Sequence, residues 1–193
     1  MAFVKIVLIT LLAILIGVPL YAVPATLSLP AGPRPGLEIL TIEQATQQLK
    51  ETGKTGWTLV EAARALIAER MQYTRRNSFV PAGRAFERGY GYCMQHAYAL
   101  TSLLTELGFD AKAVHTFQNR FPDGEVSAHA WVSVRVNDET RYIDSLFYDE
   151  QAGELDFTRL SKVLDVSPAL KQLTFWGGTA VNAHRYYVTG KDM

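Results

Sequence analysis

Apolar positions dominate the start of the chain without any periodic break. Residues 6–23 read IVLITLLAILIGVPLYAV, 18 positions without a charge; Lys5 precedes them and the next charge is Arg34. Such a run predicts a signal peptide or a short N-terminal membrane anchor over residues 1–23. The single Lys on its N-terminal side favours an N-in orientation, with the rest of the chain exported to a periplasmic or extracellular space. Ala22 and Ala25 are the candidate small residues for cleavage. The following VPATLSLPAGPRPG carries Pro24, Pro30, Pro33 and Pro35, which predict a stiff, non-helical linker over residues 24–38.

Helical spacing takes over at Thr41. Thr41-Ile42-Glu43-Gln44 and Thr58-Leu59-Val60-Glu61 each set a hydroxyl three residues ahead of Gln or Glu, the capping-box pattern of a helix start. The second helix is expected to run to about Tyr73, with Leu59, Ala63, Leu66, Ile67 and Met71 near helical spacing. Pro81, Gly83, Gly89 and Gly91 then break RRNSFVPAGRAFERGYGY (75–92), which reads as a loop. In CMQHAYALTSLLTEL (93–107), Cys93, Ala97, Leu100, Leu104 and Leu107 share one face and Gly108 suits the C′ position. Cys93 therefore opens a helix.

Alternation replaces helical spacing after Gly108. AKAVHTF (111–117) reads as a strand and NRFPDGE (119–125) as a turn. HAWVSVRV (129–136) alternates strictly, and Asn137-Asp138-Glu139-Thr140 turns it into RYIDSLF (141–147). The tail predicts a helix near 158–165 and a last strand near 185–188. These elements give an α+β fold, with helices packed on an antiparallel sheet in one domain over residues 39–193.

Composition narrows the function. Nineteen basic and nineteen acidic residues cancel, with no Lys/Arg run, so the chain lacks the electrostatic footprint of a nucleic-acid binder. One cysteine excludes an intramolecular disulfide framework. A lone thiol in an oxidising space is exposed to oxidation, which argues for a chemical reason to keep it; the bland alternative is a small buried hydrophobe. The four histidines show neither H-x-x-x-H nor HExxH spacing, so no metal site and no cofactor is expected.

A helix start favours a thiolate through its unpaired N–H groups and positive dipole end. A neighbouring histidine would act as base and then as acid, with a carboxylate fixing its tautomer. Parity supplies the candidates. A two-residue turn at Asn137-Asp138 pairs Val136 with Glu139, so opposed positions sum to 275 and Asp144 faces Trp131. Asp144 then lies one diagonal step from His129 on the same face. A four-residue turn over 137–140 instead pairs Asp144 with Ser133, again on that face. An odd-numbered turn would separate them. His96, on the Cys93 helix, reads as packing or surface; His115 is an alternative base from the preceding strand; His184 reads as structural. The Cys93 N–H is a natural oxyanion donor, with Tyr90 or Tyr92 as candidate second donors, and Trp131 as a shield beside His129.

RGYGYCMQHAYALTSLLTELGFDAKAV, HAWVSVRV and RYIDSLF together resemble the transglutaminase-like superfamily, of the papain-like cysteine-protease fold class. The resemblance spans roughly residues 58–148, about half of the chain. It implies that Cys93 is the nucleophile, His129 the base and Asp144 the orienting carboxylate. Ser145-Leu146 follows Asp144 where the family often has Pro. Family members include crosslinkers, peptidases, amidases and inactive binding domains, so the fold does not choose the reaction. The expectation is cysteine-dependent acyl transfer at a peptide or isopeptide bond of a peptide or protein substrate. A non-catalytic scaffold domain of the cell envelope is the alternative. A redox-sensing thiol would lack a resolving partner in this chain.

Overall fold

Thr41 caps the first helix of the domain as its sequence requires. Its hydroxyl accepts the Gln44 N–H at 3.2 Å and the Gln44 side-chain carbonyl accepts the Thr41 N–H at 2.9 Å. The computed structural model describes residues 2–29, 32–76, 80–166 and 168–190, without part of the side chains of the first and last helices. Pro30 of the expected linker and residues 77–79 of the loop before Cys93 lie outside the described residues.

Four helices assemble the N-terminal half: α1 (Ala2–Leu27), α2 (Ile42–Glu51), α3 (Gly56–Arg70) and, after the short strand β1 (Gln72–Tyr73), α4 (Ala82–Arg88). Two of them depart from the expected boundaries. α3 begins ahead of Thr58, with Thr55 as N-cap and Gly56 at φ +54°; the Thr58 hydroxyl donates back to the Thr55 carbonyl at 2.7 Å instead of capping. It stops at Arg70 because Gln72 and Tyr73 pair in parallel with β2 (Tyr90–Gly91). The stretch read as a loop contains α4. Pro81 and Gly89 act there as its start and stop, since Pro costs no bond at a helix entry and Gly89 adopts φ +74° at its exit.

Gly89 has a second constraint. A Cβ on it would lie 2.6 Å from Leu37 Cδ2 and 2.9 Å from the Arg70 carbonyl. Gly89→Ala is therefore expected to destabilise the fold by about 2–4 kcal/mol, combining left-handed strain with overpacking. Gly83→Ala, in open space inside α4, is the control and should gain up to about 1 kcal/mol. Equal urea midpoints for the two variants would show that the Gly89 backbone relaxes freely.

α5 (Cys93–Glu106) is the central helix, packed against α2, α3, α4 and the sheet. Ala97, Ala99, Leu100, Leu103 and Leu104 are all buried, a wider apolar face than the predicted stripe, while Leu107 is only half-buried. Each buried leucine contributes about 1.5–3 kcal/mol. Gly108 closes the helix at φ +93°, donating to the Thr105 carbonyl.

The sheet is antiparallel. Its main strands are β3 (Asp110–Arg120), β4 (Val126–Val136) and β5 (Glu139–Ile143). β6 (Tyr148–Asp149) and β7 (Glu154–Leu155) form a separate small hairpin, and β8 (Thr158–Arg159) and β9 (Leu164–Asp165) both pair with β3. The turn at Asn137-Asp138 is the two-residue one, with Asn137 at φ +54°, and pairs Val136 with Glu139 and Val132 with Ile143. Both tail expectations are overturned. Residues 158–165 contain the short strands β8 and β9 instead of a helix, because the open edge of β3 offers backbone partners that a short isolated helix lacks. Residues 185–188, despite their β-favouring tyrosines, continue α6 (Pro168–Thr189).

α1 also corrects the linker expectation, since it passes through Pro24. Proline removes one N–H near the helix end, while its carbonyl still accepts the Ser28 N–H at 3.2 Å. The end of α1 rests on α6: the rings of Tyr21 and Tyr187 are 5.1 Å apart, and the Tyr187 hydroxyl donates to the Tyr21 carbonyl at 2.8 Å. Arg34 is tied down through its N–H to the Arg88 carbonyl and its guanidinium to the Glu69 carbonyl, both at 2.9 Å. Among the described residues, no helix is long and apolar enough to cross a membrane.

Candidate active site

Cys93 is the first residue of α5, so helix geometry leaves its N–H without an intrahelical acceptor. Gln95 ties down the residues on either side of its approach. Gln95 accepts the Tyr92 N–H at 3.3 Å and donates to the Val80 carbonyl at 2.8 Å. A Cβ on Gly91 would sit 2.7 Å from Met71 Cε, so this glycine serves close internal packing. The thiol itself is half-buried.

The hairpin register brings the other two residues together. Ile143 opposes Val132, which sets Asp144 across from Trp131, diagonal to His129. His129 Nε2 and Asp144 Oδ2 are 2.5 Å apart, and both side chains are only 3% exposed. The second Asp144 oxygen accepts the Leu146 N–H at 3.0 Å, which fixes the carboxylate plane. With Nε2 engaged, Nδ1 is the ring nitrogen left for Cys93, whose thiol interacts with the imidazole.

Burial alone would strip the proton from His129. The Asp144 charge and hydrogen bond outweigh it, with Cys93 adding to the same side, and lift its pKa from 6.5 to about 10. Four aromatic rings keep water from the imidazole. Trp131 stacks at 6.1 Å and 20°, while Phe121, Phe147 and Phe157 meet it edge to face at 5.3–5.4 Å. The three phenylalanines escaped the sequence reading. Only Phe147 carried a local signal, as it ends the strand-like RYIDSLF.

Ser145 links the two halves of the site. Its hydroxyl bonds His96 Nδ1 at 3.1 Å, one turn after Cys93 on α5. The residue standing where the family often has Pro thus tethers the Asp144 segment to the cysteine helix. His96 is fully buried, and burial, against a smaller opposing pull from Asp144, lowers its pKa to about 4; it stays neutral and structural. Beyond Ser145, Tyr148 donates to Glu61 at 2.7 Å and lies under the Arg64 guanidinium, anchoring the segment on α3.

The remaining candidates fall outside the constellation. His115 opposes Ala130 in the β3–β4 ladder and therefore points away from the face of His129; burial lowers its pKa to about 4. His184 is on α6, with Nδ1 3.2 Å from the Tyr21 hydroxyl. Tyr92 is buried and its N–H is spent on Gln95, which removes that N–H as an oxyanion donor. Tyr90 is half-buried in β2, opposite Gln72. Among the described residues no cluster of three His, Cys, Asp or Glu side chains is arranged to hold a metal.

Solved structures similar to this chain include a candidate cysteine protease from Cytophaga hutchinsonii, 14% identical over 76% of this chain and 53% of that one, with a TM-score of 0.47. Another is the periplasmic domain of TgpA from Pseudomonas aeruginosa bound to ethylmercury, 23% identical over 66% of this chain and 49% of that one, at a TM-score of 0.44. A candidate protease from Parabacteroides distasonis is 13% identical over 53% of this chain and 22% of that one, at 0.40. This chain thus spans between about a fifth and about a half of these three structures. No curated protein matches it. The sequence profile of the transglutaminase-like superfamily matches residues 43–144, a span that runs from α2 to Asp144 and covers more than half of the chain. The chain belongs to the transglutaminase-like superfamily.

Proposed function

We propose that the protein is a cysteine-dependent acyltransferase or hydrolase acting on a peptide or isopeptide amide outside the cytoplasm. The observation that carries this reading is the buried His129–Asp144 pair at 2.5 Å, whose imidazole also interacts with the Cys93 thiol. In this reading Asp144 orients the imidazole, and His129 takes the Cys93 proton and holds it as imidazolium. The thiolate adds to the amide carbonyl, with the Cys93 N–H donating to the oxyanion. As the tetrahedral intermediate collapses, the C–N bond breaks and the departing amine takes the proton from His129. Water, or an amine, then gives a proton to His129 and attacks the thioester, releasing the acyl product and the thiolate.

The uncharged run at residues 6–23 behind Lys5 supports export, and α1 leaves Ile6, Ile9, Leu12, Ile16 and Leu20 more than half exposed. The test is to incubate the protein with a mixed peptide library plus a labelled primary amine, and to follow new amino termini and amine incorporation. Either product, absent with Cys93→Ala, supports the proposal. Products of equal yield in both proteins, or none in either, would favour a scaffold domain.

A further inference from the structure

The rim of the site carries charges that the acyl-transfer step does not use. The Thr74 N–H donates to the Gly91 carbonyl at 3.0 Å, so Arg75 leaves β1 alongside the loop that enters α5 at Cys93. Glu125 closes the β3–β4 turn, four residues before His129. Arg75 Nη2 lies 3.6 Å from Glu125 Oε2, and Arg185 of α6 makes a close contact with Oε1 of the same carboxylate. α6 is seated for this by Thr179 and Ala183, both buried.

Two guanidinium groups therefore share one carboxylate, leaving one excess positive charge on the rim. The cluster is partly desolvated, with Arg75 15%, Arg185 32% and Glu125 35% exposed. Asp123, the nearest acid along the turn, is exposed and engages the Glu125 N–H at 2.9 Å. Tyr73 connects the cluster to the thiol: its phenol, held protonated by burial, interacts with Arg75, Arg185 and Cys93. A second carboxylate arriving here would balance the charge and meet planar, bidentate donors.

We propose that Arg75 and Arg185 recognise a carboxylate of the substrate beside the scissile amide, so that acidic peptides are the substrate class. This rests on the acyl-transfer reading and adds its specificity.

Iodoacetate and iodoacetamide test the idea on the full chain. Both alkylate Cys93 by displacement of iodide, and they differ only in the carboxylate. The wild type should prefer iodoacetate. Arg75→Gln and Arg185→Gln should each lower the iodoacetate-to-iodoacetamide rate ratio about three- to tenfold, the effect of one unit charge several ångströms away at a half-wet rim. The iodoacetamide rate should stay within about twofold, which also shows that the site is still folded. Lys at either position should retain most of the ratio, and Glu125→Gln should raise it. An unchanged ratio in both Gln variants, or an equal fall in the Lys and Gln variants, overturns the proposal. Slow reaction of wild-type Cys93 with both reagents is a different signature, and it sinks the acyl-transfer reading together with this extension.

Discussion

Cys93 in the wild-type protein is expected to react with iodoacetamide at pH 5.5 about a hundredfold faster than in His129→Ala. An unperturbed thiol, with a pKa of about 8.5, is only about 0.1% thiolate at that pH. In the proposed mechanism a protonated His129 stands beside the sulfur, and an imidazolium partner raises the reactivity of a thiol by up to about a thousandfold. Part of this is returned because a stabilised thiolate is a weaker nucleophile, which leaves roughly two orders of magnitude. His129, with its pKa lifted to about 10 by Asp144 against the opposition of burial, is protonated throughout this range. Its removal deletes the positive partner and leaves the helix N-terminus alone to favour the thiolate. The measurement is intact mass against time, with the denatured chain as reference. Equal rates in the two proteins would mean that Cys93 is an ordinary half-buried thiol.

The second large effect is expected at Asp144 and is read as stability against pH. His129 binds its proton more tightly folded, with a pKa of about 10, than unfolded, at 6.5. A raised folded value stabilises fully below about pH 6.5, and that contribution is lost as pH climbs through about 10. Across this window stability should fall by up to about 1.4 kcal/mol per pH unit. Asp144→Ala leaves His129 buried with no carboxylate. Burial then governs it, as it governs His96 and His115, whose pKa values lie near 4. The downward slope between pH 6.5 and 10 should disappear. At pH 6 the broken pair should cost about 3 kcal/mol, at the low end for a buried ion pair because the imidazole escapes by losing its proton. Urea midpoints from pH 6 to 10, all in a Cys93→Ala background that silences the thiol, give both quantities. An unchanged slope in Asp144→Ala would place the titrating group elsewhere.

The parts of the site legible in the sequence are those that obey local rules. Thr41 and Gln44 cap a helix over four residues, and Gly108 ends the helix that Cys93 begins. The His129–Asp144 contact is a long-range fact with a local cause. A two-residue turn admits one parity, and Asn137 tolerates the left-handed backbone that this turn demands. Where local rules misled, a competing partner won. Pro81 and Gly89 punctuate a short helix rather than a loop, and residues 158–165 extend the edge of β3 instead of forming a helix.

Tertiary structure alone decided the surroundings of the chemistry. Phe121, Phe147 and Phe157 come from three separate segments and meet only because the tail folds back over the imidazole. Ser145 finds His96 across 49 residues, and Arg185 finds Glu125 across 60. Pattern and turn chemistry reach only a few residues along the chain, through backbone dihedrals and side-chain period. Desolvation, which keeps His96 and His115 neutral and which Asp144 overcomes at His129, depends on which distant segments exclude water from the ring. That is a property of packing in three dimensions, with no periodic trace in one.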